Sequence, residues 1–304
     1  MKISVVIATY NRGEVLCNTI GMLLAQDFDD YEIIVVDQTP HYPAEVQRRL
    51  DFLIGTRVRY YKLPYPNVSA ARNLGIRAAQ AEIVNFLDDD VIIERDYIRL
   101  HYLNFVNPDK KIGAVTGLIL DYEYQCGQDG LKFMKSRLAV KDEVKLGDMV
   151  AVRWLTTCNV SYLRKALFEA EMFDENMSTY CEDLDISIRV RNLGYQLLLN
   201  TKINVFHMNS PYGGTRSGPA DSFEYTRRIE IGSFNYCALK NWRIFGIWLT
   251  MRILFNEYRH YTFCRAVIRK GPYAWLKKNL IYIRLMKRVI SDLKKRKKAR
   301  QRLN

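Results

Sequence analysis

Hydrophobic positions alternate between two periods over the first hundred residues. Residues 3–8, 32–37, 58–62 and 82–87 are short apolar or β-branched runs ending in polar turns, and they predict strands. Between them Val15, Leu16, Ile20, Leu23 and Leu24 recur at helical spacing, as do Val46, Leu50 and Leu53, then Ala70, Leu74 and Ala78. This alternation predicts βαβ units around a largely parallel sheet. Strands covered on both faces need no polar alternation, which fits Val5-Val6-Ile7 and Ile33-Ile34-Val35-Val36.

Further along, residues 112–121, 151–154 and 203–207 predict strands, and residues 125–146 an insertion with helical character. Residues 182–193 fit either type: Leu184, Ile186, Ile188 and Val190 alternate, yet Ile186, Val190 and Leu193 share a helical face before Gly194, a natural helix stop. Residues 208–221 hold three glycines and two prolines and read as a loop. From residue 223 the pattern becomes long helices rich in aromatics and bases. Its best apolar run, residues 244–255, contains Arg252 and falls short of the roughly 18 to 20 residues of a membrane span.

Charge sharpens this division. Residues 223–304 carry 21 Lys and Arg against 4 Asp and Glu, a net of +17, whereas residues 1–222 carry 25 against 29, a net of −4. We therefore expect an α/β domain over residues 1–222 and a basic helical appendage over residues 223–304. Such asymmetry implies a polyanionic partner, an anionic membrane or a nucleic acid. The six cysteines (17, 126, 158, 181, 237 and 264) form no CxxC pair, and the four histidines do not cluster. Thiols in a reducing cytoplasm are expected, and zinc is not. The opening apolar run is too short for a signal peptide and is followed at once by Thr9-Tyr10-Asn11-Arg12, so none is expected.

Chemistry is concentrated at predicted strand ends. Phe86-Leu87-Asp88-Asp89-Asp90 closes an apolar run with three carboxylates, which repel one another unless a cation or donors compensate. Mg²⁺ is commonly held by one or two carboxylates and substrate phosphates. The carboxyl ends of the first two strands carry Thr9, Tyr10, Asn11 and Arg12, and then Asp37 and Gln38, where an open α/β sheet binds its ligand. Neither GxGxxG nor GxxxxGK[ST] occurs, which removes the main support for dinucleotide and P-loop readings. In Asn67-Val-Ser-Ala-Ala-Arg-Asn-Leu-Gly75, Asn67 or Ser69 can cap a helix, and Arg72 in its opening turns implies a neighbouring anion.

Ser4-Val-Val-Ile-Ala-Thr-Tyr-Asn-Arg12, Ile34-Val-Val-Asp-Gln38, the Asn67–Gly75 segment and Phe86–Asp90 resemble, in order and spacing, the motifs of family 2 glycosyltransferases. Thr157-Cys-Asn-Val-Ser-Tyr-Leu-Arg164 and Tyr180-Cys-Glu-Asp-Leu-Asp185 fit as well, so the resemblance spans residues 1–208. It implies a GT-A fold, a nucleotide-diphosphate sugar donor, Mn²⁺ or Mg²⁺, and inversion at the anomeric carbon. At matching positions it implies that Asp90 and Asp88 serve the metal. Thr9, Tyr10, Arg12, Asp37, Arg72, Asp88 and Asp89 would line the nucleotide and diphosphate site. Asp183 would be the catalytic base, with Glu182 and Asp185 as neighbouring alternatives, and the resemblance favours a helix over residues 182–193. Gln38 departs from the Asp or Asn of many members. His207 could be a further metal ligand or a core histidine, and Arg216 could fold over the diphosphate or stay in solvent.

Sugar transfer builds negative charge on the leaving diphosphate, which a cation stabilises, and needs a carboxylate to take the acceptor's proton. The acceptor would be a saccharide or lipid-linked saccharide. The aromatic, basic appendage suits an anionic bilayer surface, placing the enzyme peripherally on the inner face of the plasma membrane. Packing as a domain or into an oligomer is the other reading of these helices, and no nucleic-acid fingerprint accompanies them. A nucleotidyltransferase of similar architecture and a nucleic-acid-binding protein are the competing functions.

Overall fold

Apolar runs flanked by polar turns become the strands of one sheet because both of its faces are covered. Val5, Val6, Ile7 and Ile33 to Val36 are at most 1% exposed. The computed structural model describes residues 2–55, 57–106, 111–121, 145–177, 179–210, 213–214, 223–262 and 272–303. They separate into two compact units, Met1–Ser178 with Glu182–Gly218, and Thr179–Cys181 with Pro219–Asn304.

In the first unit, strands β1 (Ile3–Thr9), β2 (Tyr31–Asp37), β3 (Val58–Lys62) and β4 (Ile83–Leu87) alternate with helices α1 (Glu14–Leu24), α2 (Ala44–Leu53) and α3 (Val68–Ala78). Then follow β5 (Val91–Ile93), α4 (Tyr97–Leu103), β6 (Ile112–Asp121), β7 (Met149–Ala151), β8 (Asn159–Leu163), α5 (Arg164–Glu169), α6 (Glu182–Asn192) and β9 (Gln196–His207). The sheet order is β3-β2-β1-β4-β8-β6-β9-β5, with β7 also on β9. The half built from β1 to β4 is parallel throughout, as expected. The other half is mixed: β8 runs antiparallel to β4 and β6, β5 and β7 run antiparallel to β9, and β6 and β9 are parallel. Helix α3 lies so close to β1 that a Cβ on Gly75 would stand 2.3 Å from Val6 Cγ1.

Several boundaries differ from the pattern. Strand β5 is three residues long and ends the acidic turn, too short to show a period. Strand β8 reads as polar because Asn159 and Ser161 are buried in a hydrogen-bonded network with Asn85, Tyr97 and His101. Strand β9 begins at Gln196 rather than 203, and β7 occupies 149–151 rather than 151–154. The ambiguous segment resolves as helix α6, which ends at Asn192, one residue short of the expected 193. Its first turn holds Glu182, Asp183 and Asp185 and its last Arg189 and Arg191, both favourable to the helix dipole. Gly194 follows at φ +82°. Most of the insertion expected at 125–146 lies outside the described residues, as does Arg216.

The second unit contains α7 (Phe223–Lys240), α8 (Trp242–Thr262) and α9 (Pro272–Leu303). Ile231, Tyr261 and Tyr282 form a small core packed by Tyr258, Ile281, Leu285 and Met286. Many apolar side chains remain outside it: Ile247, Trp248, Met251 and Phe255 on α8, and Leu276, Leu280 and Ile283 on α9, are half or more exposed or nearly so. Among the described residues, no helix is long and apolar enough to cross a membrane.

Candidate active site

The site forms where β4 stops and sheet register carries distant residues to its end. Leu87 pairs with Asn159 across the antiparallel β4–β8 ladder, and one step further the Asp88 N–H donates to the Cys158 carbonyl at 3.3 Å. On the other side Val91 pairs with His207 across β5 and β9, and the Met208 N–H donates to the Asp90 carbonyl at 2.9 Å. The acidic turn is thus clamped between the start of β8 and the end of β9.

Its three carboxylates divide by position. The outer pair converges on His207, whose Nε2 lies 3.4 Å from Asp88 Oδ2 and 3.3 Å from Asp90 Oδ1. The other Asp90 oxygen is committed to the Arg12 guanidinium at 3.1 Å and to the Ser210 N–H at 3.0 Å. The other Asp88 oxygen faces Arg72 Nη2 at 3.9 Å. Asp89 is buried and held elsewhere: Thr9 donates to its carboxylate at 2.6 Å, Arg12 Nε stands 3.2 Å away, and Thr19 donates to its carbonyl at 2.8 Å. Burial disfavours ionised Asp88, but His207 and Arg72 outweigh it and its pKa falls. Burial pushes Asp89 up to about 7 against the pull of Arg12 and Thr9, and it also raises Asp90 despite His207 and Arg12. Arg12 and Arg72 bring two positive charges to three carboxylates, and a cation at the Asp88–Asp90–His207 convergence would supply the balance. Two carboxylate oxygens and an imidazole suit Mn²⁺ and also accept Mg²⁺.

The β1 end is held from several sides. Gln38 donates through Nε2 to the Thr9 carbonyl at 3.2 Å and its Oε1 accepts from the Asn67 N–H. Tyr10 is half-buried and its carbonyl accepts from the Gly214 N–H at 2.7 Å. A Cβ on Gly213, at φ +75°, would stand 2.3 Å from the Asn11 carbonyl oxygen, so this close approach requires glycine. Asp37 is fully buried: it accepts from the Thr39 N–H at 2.7 Å and from the Tyr60 hydroxyl, with Lys62 Nζ at 3.3 Å.

Helices α3 and α6 complete the site. Asn67 caps α3 by accepting from the Ala70 N–H at 3.0 Å, while Ser69 donates to the Met177 carbonyl. The cap places Arg72 where it binds Glu182 at 2.8 Å, faces Asp88 and lies over the Phe173 ring at 5.6 Å. Burial and the neighbouring Asp183 raise the pKa of Glu182 more than Arg72 lowers it. Asp185, fully buried, is paired with Arg189 at 2.6 Å. Asp183 is partly exposed and accepts from the Leu184 N–H at 2.7 Å. Of the three acids opening α6, two are therefore locked to arginines.

Asp88, Asp90, His207, Arg72 and the start of α6 come together around one point. Thr9, Arg12 and Asp89 form a cluster beside it, and Asp37 stands in its own network at the end of β2. Cys158 and Ser210 escaped the sequence reading. The Cys158 signal lay in the Thr157–Arg164 segment, whose pairing with β4 sequence spacing does not reveal.

Residues 4–141 match the sequence model of glycosyl transferase family 2. The chain is 37% identical over 98 residues to poly(ribitol-phosphate) beta-N-acetylglucosaminyltransferase TarP of Staphylococcus aureus strain N315, covering 31% of this chain and 30% of TarP. It is 27% identical over 241 residues to chondroitin synthase of Escherichia coli, covering 69% of this chain and 35% of the synthase. It thus spans about a third of the length of either relative. The crystal structure of GalNAc-T7 with UDP, GalNAc and Mn²⁺ superposes with a TM-score of 0.63 at 18% identity, over 90% of this chain and 52% of that one. The first unit has the GT-A fold, and residues 4–141 are similar to glycosyl transferase family 2.

Proposed function

We propose that the chain transfers a sugar, with inversion, from a UDP-sugar to a hydroxyl of a saccharide or lipid-linked saccharide, in the assembly of a cell-surface polysaccharide. The observation that carries this reading is the placement of Arg72, which joins Asp88 at the strand end to Glu182 at the start of α6. Asp88, Asp90 and His207 would hold Mn²⁺ or Mg²⁺, which when bound offsets the charge developing on the departing diphosphate. Arg72 adds a fixed positive charge beside them. Thr9, Arg12 and Asp89 support the metal-binding turn from behind, while Tyr10 and Asp37 lie at the strand ends expected to take the nucleoside. Asp183, partly exposed at the start of α6 and in the register of the Glu-Asp motif, takes the proton of the attacking hydroxyl.

The relatives support this class: TarP by its name transfers N-acetylglucosamine to a ribitol-phosphate polymer, chondroitin synthase builds a polysaccharide, and GalNAc-T7 was crystallised with UDP and Mn²⁺. The second unit would dock peripherally on an anionic membrane, on the cytoplasmic side where nucleotide sugars are made. Its exposed Trp248 and Phe255, with the net +17 of residues 223–304, support that placement. The test is release of the donor's own nucleotide from a panel of nucleotide sugars with Mn²⁺ and a saccharide acceptor. Turnover of one UDP-sugar supports the reading; release from none of the UDP, GDP, dTDP or CMP sugars contradicts it.

A further inference from the structure

The same antiparallel register that sets Leu87 against Asn159 sets Cys158 beside Asp88. The backbone bond from the Asp88 N–H to the Cys158 carbonyl makes the two direct neighbours, and directly opposed residues of a ladder carry their side chains on one face. The neighbouring Cys158 thiol helps to hold the Asp88 carboxyl below its ordinary pKa, after His207 and Arg72. His207 reaches the same carboxylate from β9, and Asp88, Cys158 and His207 place one ligand atom each within 4.8 Å of one another. Cys158 is partly exposed, so solvent and ions reach it.

We propose that Cys158 is an additional ligand of this centre, making it a sulfur–nitrogen–oxygen site that takes Zn²⁺ or Cd²⁺ in preference to Mg²⁺. This rests on the metal site proposed above and specifies its selectivity. A carboxylate pair alone favours hard cations, whereas imidazole and thiolate favour zinc and softer ions. Zinc held by Asp88, Cys158 and His207, with Asp90 left to Arg12 and Ser210, would have three protein ligands and an open fourth position, as catalytic zinc sites do. Tetrahedral ligands at 2.0–2.3 Å stand roughly 3.5 Å apart, so the three atoms close by about 1 Å around the ion. Binding breaks the thiol S–H bond, forms the metal–sulfur bond and releases one proton to solvent. Zinc or cadmium bound there displaces Mn²⁺ and changes the geometry offered to the diphosphate. Regular spacing of cysteines and histidines is absent from the sequence, yet the sheet assembles such a ligand set from residues 88, 158 and 207.

The test is a Cd²⁺ titration of the full chain, following the ultraviolet charge-transfer absorption of a cadmium–thiolate bond, with Zn²⁺ and Mn²⁺ affinities by calorimetry on the same proteins. Cys158→Ser should lose most of this absorption and at least about tenfold in Zn²⁺ affinity, since even outer-shell changes cost 10–100-fold. Its Mn²⁺ affinity should change less than about threefold, because the oxygen and imidazole ligands remain. Absorption and Zn²⁺ affinity unchanged in Cys158→Ser overturn the proposal even where Mn²⁺ binding stands. Mn²⁺ binding that survives Asp90→Ala would instead count against the underlying metal site. Circular dichroism of Cys158→Ser at the wild-type level excludes misfolding as the cause of a loss.

Discussion

Arg72 Nη1 lies 2.8 Å from Glu182 Oε1, with both side chains 8% exposed, so a buried ion pair ties α3 to the start of α6. Breaking such a pair leaves an uncompensated buried charge. Arg72→Met should lower stability by about 3–5 kcal/mol in urea unfolding. Glu182→Gln should cost less, because Asp88 still faces the guanidinium at 3.9 Å. Equal losses for the two variants would show that the pair, and not the arginine's link to both acids, is what matters.

Asp183 lies at the start of α6 between Glu182, paired with Arg72, and Asp185, paired with Arg189. Asp183→Asn should keep the thermal transition and the donor affinity of the parent while lowering kcat on the order of 10²–10⁴-fold, the usual contribution of a general base. Normal turnover in Asp183→Asn together with loss in Asp185→Asn would move the base to Asp185. The observed Asp185–Arg189 pair makes unfolding the expected result of the second variant instead.

Buried His101 makes stability depend on pH. Its Nε2 faces Asn159 Oδ1 at 2.9 Å and its Nδ1 meets the Ser161 hydroxyl at 3.0 Å, so the neutral ring with the proton on Nε2 satisfies both. Burial, against the partial support of Asn159, lowers its pKa from 6.5 to about 4. The unfolded chain takes up this proton below pH 6.5 while the folded chain refuses it until about pH 4. The contribution is thus complete above pH 6.5 and falls by about 3 kcal/mol on acidification to pH 4. The stability gap between the wild type and His101→Gln should shrink by that amount over the window. A gap independent of pH would contradict a neutral His101.

Membrane docking by the second unit predicts binding that depends on charge. Bases near an anionic surface contribute about 1 kcal/mol each, and salt screens them. The full chain should sediment with phosphatidylglycerol vesicles more than with phosphatidylcholine vesicles and be largely released by high salt. Trp248→Ser with Phe255→Ser should weaken what remains at high salt. Equal partitioning onto both vesicles would favour a packing or oligomer-forming surface, visible as a concentration-dependent mass.

The βαβ half was legible in the sequence because its strands are buried on both faces and its glycine and capping signals are local, as at Asn67 and Gly75. The mixed half was not. Strand β8 hides its burial behind Asn159 and Ser161, whose polarity is satisfied by partners up to 76 positions away. Motif register assigned Asp88 and Asp90 to the metal and left His207 open between ligand and core histidine, but it gave no sign that the turn directs Asp89 to Thr9 and Arg12. Cys158 was invisible for a related reason: a ligand brought by strand pairing leaves no spacing in the chain.

The central claim is a cation-dependent donor site at Asp88, Asp90 and His207. Its most direct test is calorimetric titration of UDP into the full chain with and without Mn²⁺, for the wild type and Asp90→Ala. The wild type should bind UDP at least about tenfold more tightly with Mn²⁺, and Asp90→Ala should lose that enhancement while keeping its fold. UDP affinity indifferent to Mn²⁺ in the wild type, or an enhancement preserved in Asp90→Ala, would contradict the account.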